Sequence, residues 1–218
     1  MSETDYIYRR IEEGEHLRQD FKFAISDARK IARSLSAFAN TAGGCLLVGV
    51  KDNGKIAGVR SEEEMYMIEA AATMYCHPQV DVKLRLYKVE GKDVLEVLVP
   101  EVQSKPVFAV DEEGKRWAYI RVADENIRAT AVHLEMWKHD QSGNQVVMAY
   151  TDRERRLLDV LTLHGLLSLN RCSRLAGIPR RETCLLLADF IRFGLVDFRF
   201  IDHHFCFCLS GTLPQEGE

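Results

Sequence analysis

No stretch of this sequence approaches the roughly 20 consecutive apolar residues that a membrane-spanning helix needs. The amino-terminal segment MSETDYIYRRIEEGE has no apolar centre of the secretory kind, so export is not expected. Six cysteines fall without repeated spacing. That sets aside a disulfide framework and makes a reducing cytoplasm the expected compartment. An excess of positive charge is missing as well: the net charge is −4, so any nucleic-acid surface must be a local cluster. The phosphate-loop pattern G-x-x-x-x-G-K-[ST] is absent. What remains is an ordinary globular composition, 46% hydrophobic and 28% charged over 218 residues, enough for one or two domains.

The strongest local signals lie between Ala28 and Val59. Ala28, Ile31, Ala32, Leu35, Phe38 and Ala39 recur at helical spacing and predict an amphipathic helix, which Ser26 or Asp27 can cap. Asn40-Thr41-Ala42-Gly43-Gly44 ends it, with glycine available for left-handed backbone. Cys45 to Val50 is an apolar run of strand length, and Lys51-Asp52-Asn53-Gly54-Lys55 predicts a tight turn that returns through Ile56 to Val59. Upstream, Leu17, Phe21 and Phe23 suggest a first strand. Downstream, Ser61 with Glu64 reads as a capping box on a helix ending before Pro78.

From Val80 the period changes to two, through Val82, Leu84 and Leu86, and two hairpins follow, turning at Glu90–Asp93 and Asp111–Gly114. A helix over Thr130 to Lys138 closes this part. Helices beside antiparallel hairpins predict an α+β domain over residues 1–138, with a mixed or antiparallel sheet and helices on one face. Residues 139–150 are polar and aperiodic, a linker. Residues 151–210 then read helix, helix, turn, helix and β-hairpin, the order of a small winged helix-turn-helix domain, with 211–218 as a tail. In the last hairpin His204, Cys206 and Cys208 share one strand face. No second ligand pair accompanies them, so core filling is expected there and not zinc.

Three runs carry a resemblance: Glu15-His16-Leu17-Arg18-Gln19-Asp20-Phe21-Lys22, then Ser36-Ala37-Phe38-Ala39-Asn40-Thr41-Ala42-Gly43-Gly44, then Leu47-Val48-Gly49-Val50-Lys51-Asp52-Asn53-Gly54. With Tyr119-Ile120-Arg121-Val122 and Ala129 they make residues 14–130 similar to the AlbA_2 domain of bacterial transcriptional regulators and Schlafen proteins. The resemblance implies an AlbA_2-like sheet and a link to nucleic acid. Through the Schlafen-type ribonucleases it also implies a catalytic and metal site of three carboxylates, Glu15, Asp20 and Asp52, with Asp20 where Glu is more usual. Three such carboxylates can hold Mg²⁺ or Mn²⁺ and activate water on a phosphodiester. The same residues also suit plain structural roles, since Asp is an ordinary turn former.

Basic residues supply the other candidates. Arg29, Lys30 and Arg33 lie off the apolar stripe of the first helix and can meet phosphate. Lys22 either contacts phosphate or pairs with Asp20, and Arg121 and Arg128 flank the last strand. In the carboxyl-terminal part Arg171, Arg174, Arg180 and Arg181 cluster, the last two at the start of the helix that enters the major groove in this motif, with Thr183 nearby. The leading expectation is a cytoplasmic nucleic-acid-binding protein, a DNA-binding regulator, with RNA as the other nucleic acid and a homodimer expected because winged helices often work in pairs. A metal-dependent ribonuclease and a protein-protein interaction module stand as the alternatives.

Overall fold

The protein, seen in a computed structural model, is described over residues 2–59, 62–141 and 150–211. It divides into two compact units, Met1–Ala129 and Thr130–Glu218. The first holds helices α1 (Glu3–Glu12), α2 (Ala28–Asn40) and α3 (Glu62–Met74), with strands β1 (Gln19–Lys22), β2 (Gly44–Val48), β3 (Cys76–His77), β4 (Lys83–Val89), β5 (Lys92–Val99), β6 (Phe108–Val110), β7 (Arg116–Val122) and β8 (Glu125–Arg128). The second holds α4 (Ala131–Gln141), α5 (Asp152–His164), β9 (Leu167–Ser168), α6 (Leu169–Ala176), α7 (Arg180–Arg192), β10 (Val196–Ile201) and β11 (His204–Leu209). The fold is α+β. Among the described residues no helix is long and apolar enough to cross a membrane.

Two four-stranded sheets, not one, build the first unit. In the order β1-β2-β5-β4, β1 runs parallel to β2 and the rest are antiparallel, so this sheet is mixed. The second sheet, β3-β6-β7-β8, is antiparallel throughout. Helix α2 fills the space between them because its apolar stripe, with Leu35 and Phe38 fully buried, meets Leu46, Val48, Leu95 and Val97 in one cluster. The expectation of helices on one face is corrected here. Strands β2 and β5 are apolar on both sides, and their other face, with Cys45, Leu47 and Val94, buries Ile7 of α1. On that face Glu96 is fully buried and accepts from Tyr6 at 2.6 Å and Tyr87 at 3.3 Å, fastening α1 to the sheet. Burial, then this hydrogen bond, pushes the Tyr6 hydroxyl well above its ordinary range.

The segment after α2 follows the sequence reading with one change. Gly43 has φ +65°, and a side chain there would meet the Val99 carbonyl oxygen at 2.8 Å, so both conformation and space require glycine. The turn closes through Lys51 N–H to Lys55 O at 3.0 Å. The returning segment forms no strand beyond one Val50–Ile56 bridge, because Ala57 and Gly58 both donate back to Gly49 O. The first strand is also shorter than expected: Leu17 and Phe23 lie outside it and are exposed. Asp27 caps α2, while Ser61, the expected cap of α3, lies outside the described residues.

Asn40 is the polar centre of this unit. Its Nδ2 donates to Val107 O and Tyr119 O at 2.9 Å each, and its Oδ1 accepts from Val107 N–H at 2.7 Å. Ser36 adds a bond to Val107 O and accepts from Tyr119 N–H. A helix end is thereby tied to β7 and to the residue just before β6.

In the second unit a three-stranded sheet, β10-β11-β9, closes beside α5, α6 and α7. Thr151 caps α5 in a capping box with Glu154, and Gly177 ends α6 in the left-handed conformation. The division at Ala129 places α4 in this unit and not, as its position after the last hairpin suggested, in the first. The cause is the ring of His133 on α4, which meets Phe198 and Phe205 edge-on at 4.8 and 4.7 Å. The expected linker falls mostly on residues 142–149, and the tail on 212–218, outside the described residues. Phe205, Phe207 and Cys208 are buried, while His204 is exposed.

Two outcomes follow for stability. Replacing Asn40 by Ala strands the buried Val107 N–H and Tyr119 carbonyl, while Ser36 still reaches Val107 O, so Asn40→Ala is expected to cost at least about 2 kcal/mol in urea unfolding; a change within about 0.5 kcal/mol would remove Asn40 from this role. Burial draws the His133 imidazolium down from 6.5 to about 4. The folded state therefore binds its proton less readily than the unfolded chain. Its contribution is complete above pH 6.5 and is lost as pH falls from 6.5 toward about 4, by on the order of 3 kcal/mol. His133→Phe should flatten that limb of the stability curve.

Candidate functional site

The acidic candidates sit where β1 begins. A bridge between His16 and Gln19 folds the chain back, so Glu15 reaches forward along the strand. Its carboxylate accepts the Phe21 N–H at 2.8 Å and shares a side-chain hydrogen bond with Asp20. Asp20, whose side chain is 6% exposed, pairs with Lys22 at 2.9 Å and lies 3.8 Å from the Arg121 guanidinium. Burial, then the hydrogen bond to Asp20, holds the Glu15 carboxyl above its ordinary value of 4.5. Two cations and two acids thus share one small site.

Arg121 was expected to face nucleic acid and does not. Its side chain is wholly buried, stacked 4.7 Å over the Phe38 ring. Nη2 donates to His16 O at 2.9 Å and Gln19 O at 3.2 Å, and Nη1 donates to Asn126 Oδ1 at 3.0 Å. It is an internal bracket between β7 and β1, because a guanidinium can satisfy several carbonyls at once from one plane. Lys22 is likewise spent, on Asp20 and on Phe21 O at 2.8 Å.

The three-carboxylate metal site is not assembled. Among the described residues no group of three or more His, Cys, Asp and Glu side chains could hold a metal ion. Glu15 and Asp20 come together, whereas Asp52 stays on its exposed turn. The donor set fits Mg²⁺ or Mn²⁺ poorly for a physical reason as well: Lys22 already neutralises the best-buried carboxylate, and an ammonium at 2.9 Å competes with a divalent cation for the same oxygen.

The basic residues of α2 separate from one another. Arg29 stacks over Tyr75 at 4.8 Å, Lys30 is exposed, and Arg33 lines a shallow recess with Trp117 and Arg128. There Arg128 lies over the Trp117 ring at 3.7 Å and the indole donates to Asp111 at 2.8 Å. Asp111, Glu112 and Glu113 share the recess, so its charge is mixed and suits a polyanion poorly.

In the second unit Arg171, Arg174, Arg180 and Arg181 are all exposed on α6 and α7. Arg180 Nε donates to Asn170 Oδ1 at 2.9 Å; none of the four makes an ion pair with a described residue. Thr183, considered for groove contact, is corrected: it is fully buried and its hydroxyl bonds to Ile178 O and Pro179 O. Sequence reasoning missed Asn170 as the residue that orients Arg180, and Asn40 and Glu96 as buried polar anchors. Asn40 did stand inside a distinctive motif, but no spacing rule marks a residue whose partners lie 67 and 79 residues further along the chain.

A family model described as Schlafen, AlbA_2 matches residues 15–130, more than half of the chain, and the chain belongs to that family. Two solved structures are similar. DIP2311 of Corynebacterium diphtheriae shares 20% identity at a TM-score of 0.46, over 72% of this chain and 37% of that one. The amino-terminal domain of a protein from Nitrosomonas europaea described as RecG-related shares 20% identity at a TM-score of 0.38, over 69% of this chain and 96% of that one. This chain therefore spans little more than a third of DIP2311. No functionally curated protein matches the sequence.

The acidic pair generates a pH test. A raised Glu15 value means that the folded state holds this proton more tightly than the unfolded chain does. The resulting stability is present below pH 4.5 and is lost as pH rises through the elevated folded value. Glu15→Gln keeps an acceptor for Phe21 N–H and removes the charge facing Asp20. The variant should unfold at higher urea than the parent at pH 7 and at nearly the same urea at pH 4; parallel curves would refute the raised Glu15 value.

Proposed function

We propose that this member of the Schlafen AlbA_2 family is a DNA-binding regulator that meets the duplex through its second unit. The order α5, α6, α7 and the β10-β11 hairpin, with β9 joined to β11, supports reading that unit as a winged helix-turn-helix. The observation that carries the proposal is the group of four exposed arginines on α6 and α7, without an acidic partner among the described residues, at the helices this motif uses for DNA. Arg180 and Arg181 open α7, the position from which side chains of a recognition helix reach base edges or phosphate. A net charge of −4 requires such local clustering, since nothing global attracts nucleic acid. The six cysteines form no disulfide with one another, in keeping with the reducing compartment that this reading assumes.

A nuclease reading gains nothing from the acidic pair, whose partners are an ammonium and a guanidinium, and no step is assigned to it. The test is an electrophoretic shift with mixed-sequence duplex and intact-length controls for cleavage. The parent should bind in a salt-sensitive way. Arg180→Ala with Arg181→Ala should bind at least about tenfold more weakly and flatten the logarithmic salt slope by about 2. An unchanged affinity in that variant would end the assignment of α7 as the reading helix.

A further inference from the structure

The mixed sheet of the first unit has two edges that differ in what is left open. At β1 the outward backbone groups are already spent. Gln19 exchanges bonds with His16, its carbonyl also accepts from Arg121, and Phe21 gives its N–H to Glu15 and its carbonyl to Lys22. At β4 they are free. The β4–β5 hairpin turns on Glu90 and Gly91, with φ +50° and +76°, so Val89 and Lys92 form a hydrogen-bonded pair and the ladder alternates from there. Val89, Tyr87, Arg85 and Lys83 therefore bond to β5, while the N–H and C=O groups of Lys88, Leu86 and Leu84 point away from the sheet. Among the described residues none of these outward groups has a backbone partner. We infer that this edge pairs with β4 of a second copy of the chain, antiparallel about a two-fold axis at Leu86.

In that register the side chains of β4 complement themselves. Leu86 lies opposite the second copy's Leu86, Leu84 opposite its Lys88, Arg85 opposite its Tyr87 and Lys83 opposite its Val89. No like charges face each other directly. Leu86 is 51% exposed in the single chain, on the face where Leu84 packs onto the core, so the contact covers apolar surface otherwise left in water. On the opposite face Arg85 meets the second copy's Tyr87 ring, and buried Glu96, directly across from Arg85 on β5, supplies a negative charge. The three outward pairs exchange two backbone bonds each, about six in all. Two four-stranded sheets thereby join into one of eight strands.

Lysine on a strand edge ordinarily guards against pairing. Here the charges and the turn guard against every register but one. Slipping one strand by two residues in one direction sets Arg85 directly against the second copy's Arg85. Slipping it the other way drives the Glu90–Gly91 turn into the ladder and sets Leu86 against Lys88. A slip of a single residue opposes the outward groups to groups already bonded to β5. A two-fold contact uses one patch twice, so a strand that complements itself points to a second copy of this chain and not to an unrelated partner. One strand pair is small beside a standard interface, and association is accordingly concentration-dependent. The homodimer expected from the sequence thus acquires a surface in the first unit, one that does not rest on the DNA reading.

The experiment is sedimentation velocity of the full chain without nucleic acid, over a concentration series reaching about 1 mM, with amide hydrogen exchange read residue by residue by NMR. A monomer–dimer equilibrium is expected. The Leu84, Leu86 and Lys88 amides should slow by at least about tenfold as concentration rises, while Arg85, Tyr87 and Val89 are slow throughout. Leu86→Lys and Leu86→Glu should each weaken the dimer at least about tenfold, with the Arg85 and Tyr87 amides still slow, the sign of an intact sheet. An equal mixture of the two variants should associate again, because opposite charges then face each other at the axis. A parent that stays monomeric across the series overturns the pairing. So does a dimer whose Leu84, Leu86 and Lys88 amides stay fast, or a mixture no tighter than either variant alone. With no nucleic acid present, each of these results leaves the DNA reading untouched, and a parent chain that fails to shift duplex leaves this edge untouched.

Discussion

The carboxamide of Asn40 is the constraint on which the first unit depends. It ends α2 and grips Val107 and Tyr119, so one side chain joins a helix to β7 and to the entry of β6 in the second sheet. Two residues beyond Tyr119, Arg121 reaches from β7 to the carbonyls of His16 and Gln19 at the start of β1. The placement of Glu15 and Asp20 is therefore set by where α2 ends. Each link is a buried polar group whose release would strand its partners without water, which is why such groups fix geometry more firmly than apolar contacts of the same size.

Arginine serves opposite ends in the two units. Arg121 is enclosed by carbonyls and an aromatic face, and burial draws its guanidinium below the ordinary value while Asp20 opposes that shift. The enclosure holds a cation that water would otherwise favour strongly, and the nearby acids offset part of that desolvation. Arg171, Arg174, Arg180 and Arg181 instead stand in solvent with no acidic partner among the described residues. Only the second kind is positioned to meet a polyanion. The acidic pair of the Schlafen AlbA_2 unit is correspondingly an internal junction, with Lys22 and Arg121 facing the carboxylates that a metal would require.

Sequence patterns made much of this legible. The stripe from Ala28 to Ala39, the glycine stop, the buried strand and the Asn-Gly turn all rest on interactions within a few residues, and they occur where the spacing put them. The same holds for the Thr151 capping box and the Gly177 end of α6. Short strands were not legible. β3, β8 and β9 span two to four residues and exist only because a neighbouring strand supplies their hydrogen bonds. The second face of the first sheet was missed for a related reason: α1 is mostly polar, and its few anchors, Tyr6, Ile7 and Ile11, do not by themselves say which surface they cover.

Local chemistry in the chain thus determined the α+β class, the main helices and turns, the family, and the set of charged residues available for function. Tertiary structure alone decided which of those charges are used outwardly. Periodicity reports a side chain's face on its own element, whereas burial depends on what arrives from elsewhere in the chain. Arg121 and Arg180 look alike in the sequence. One meets β1 and Phe38 and is sealed in; the other hydrogen-bonds Asn170 and remains exposed.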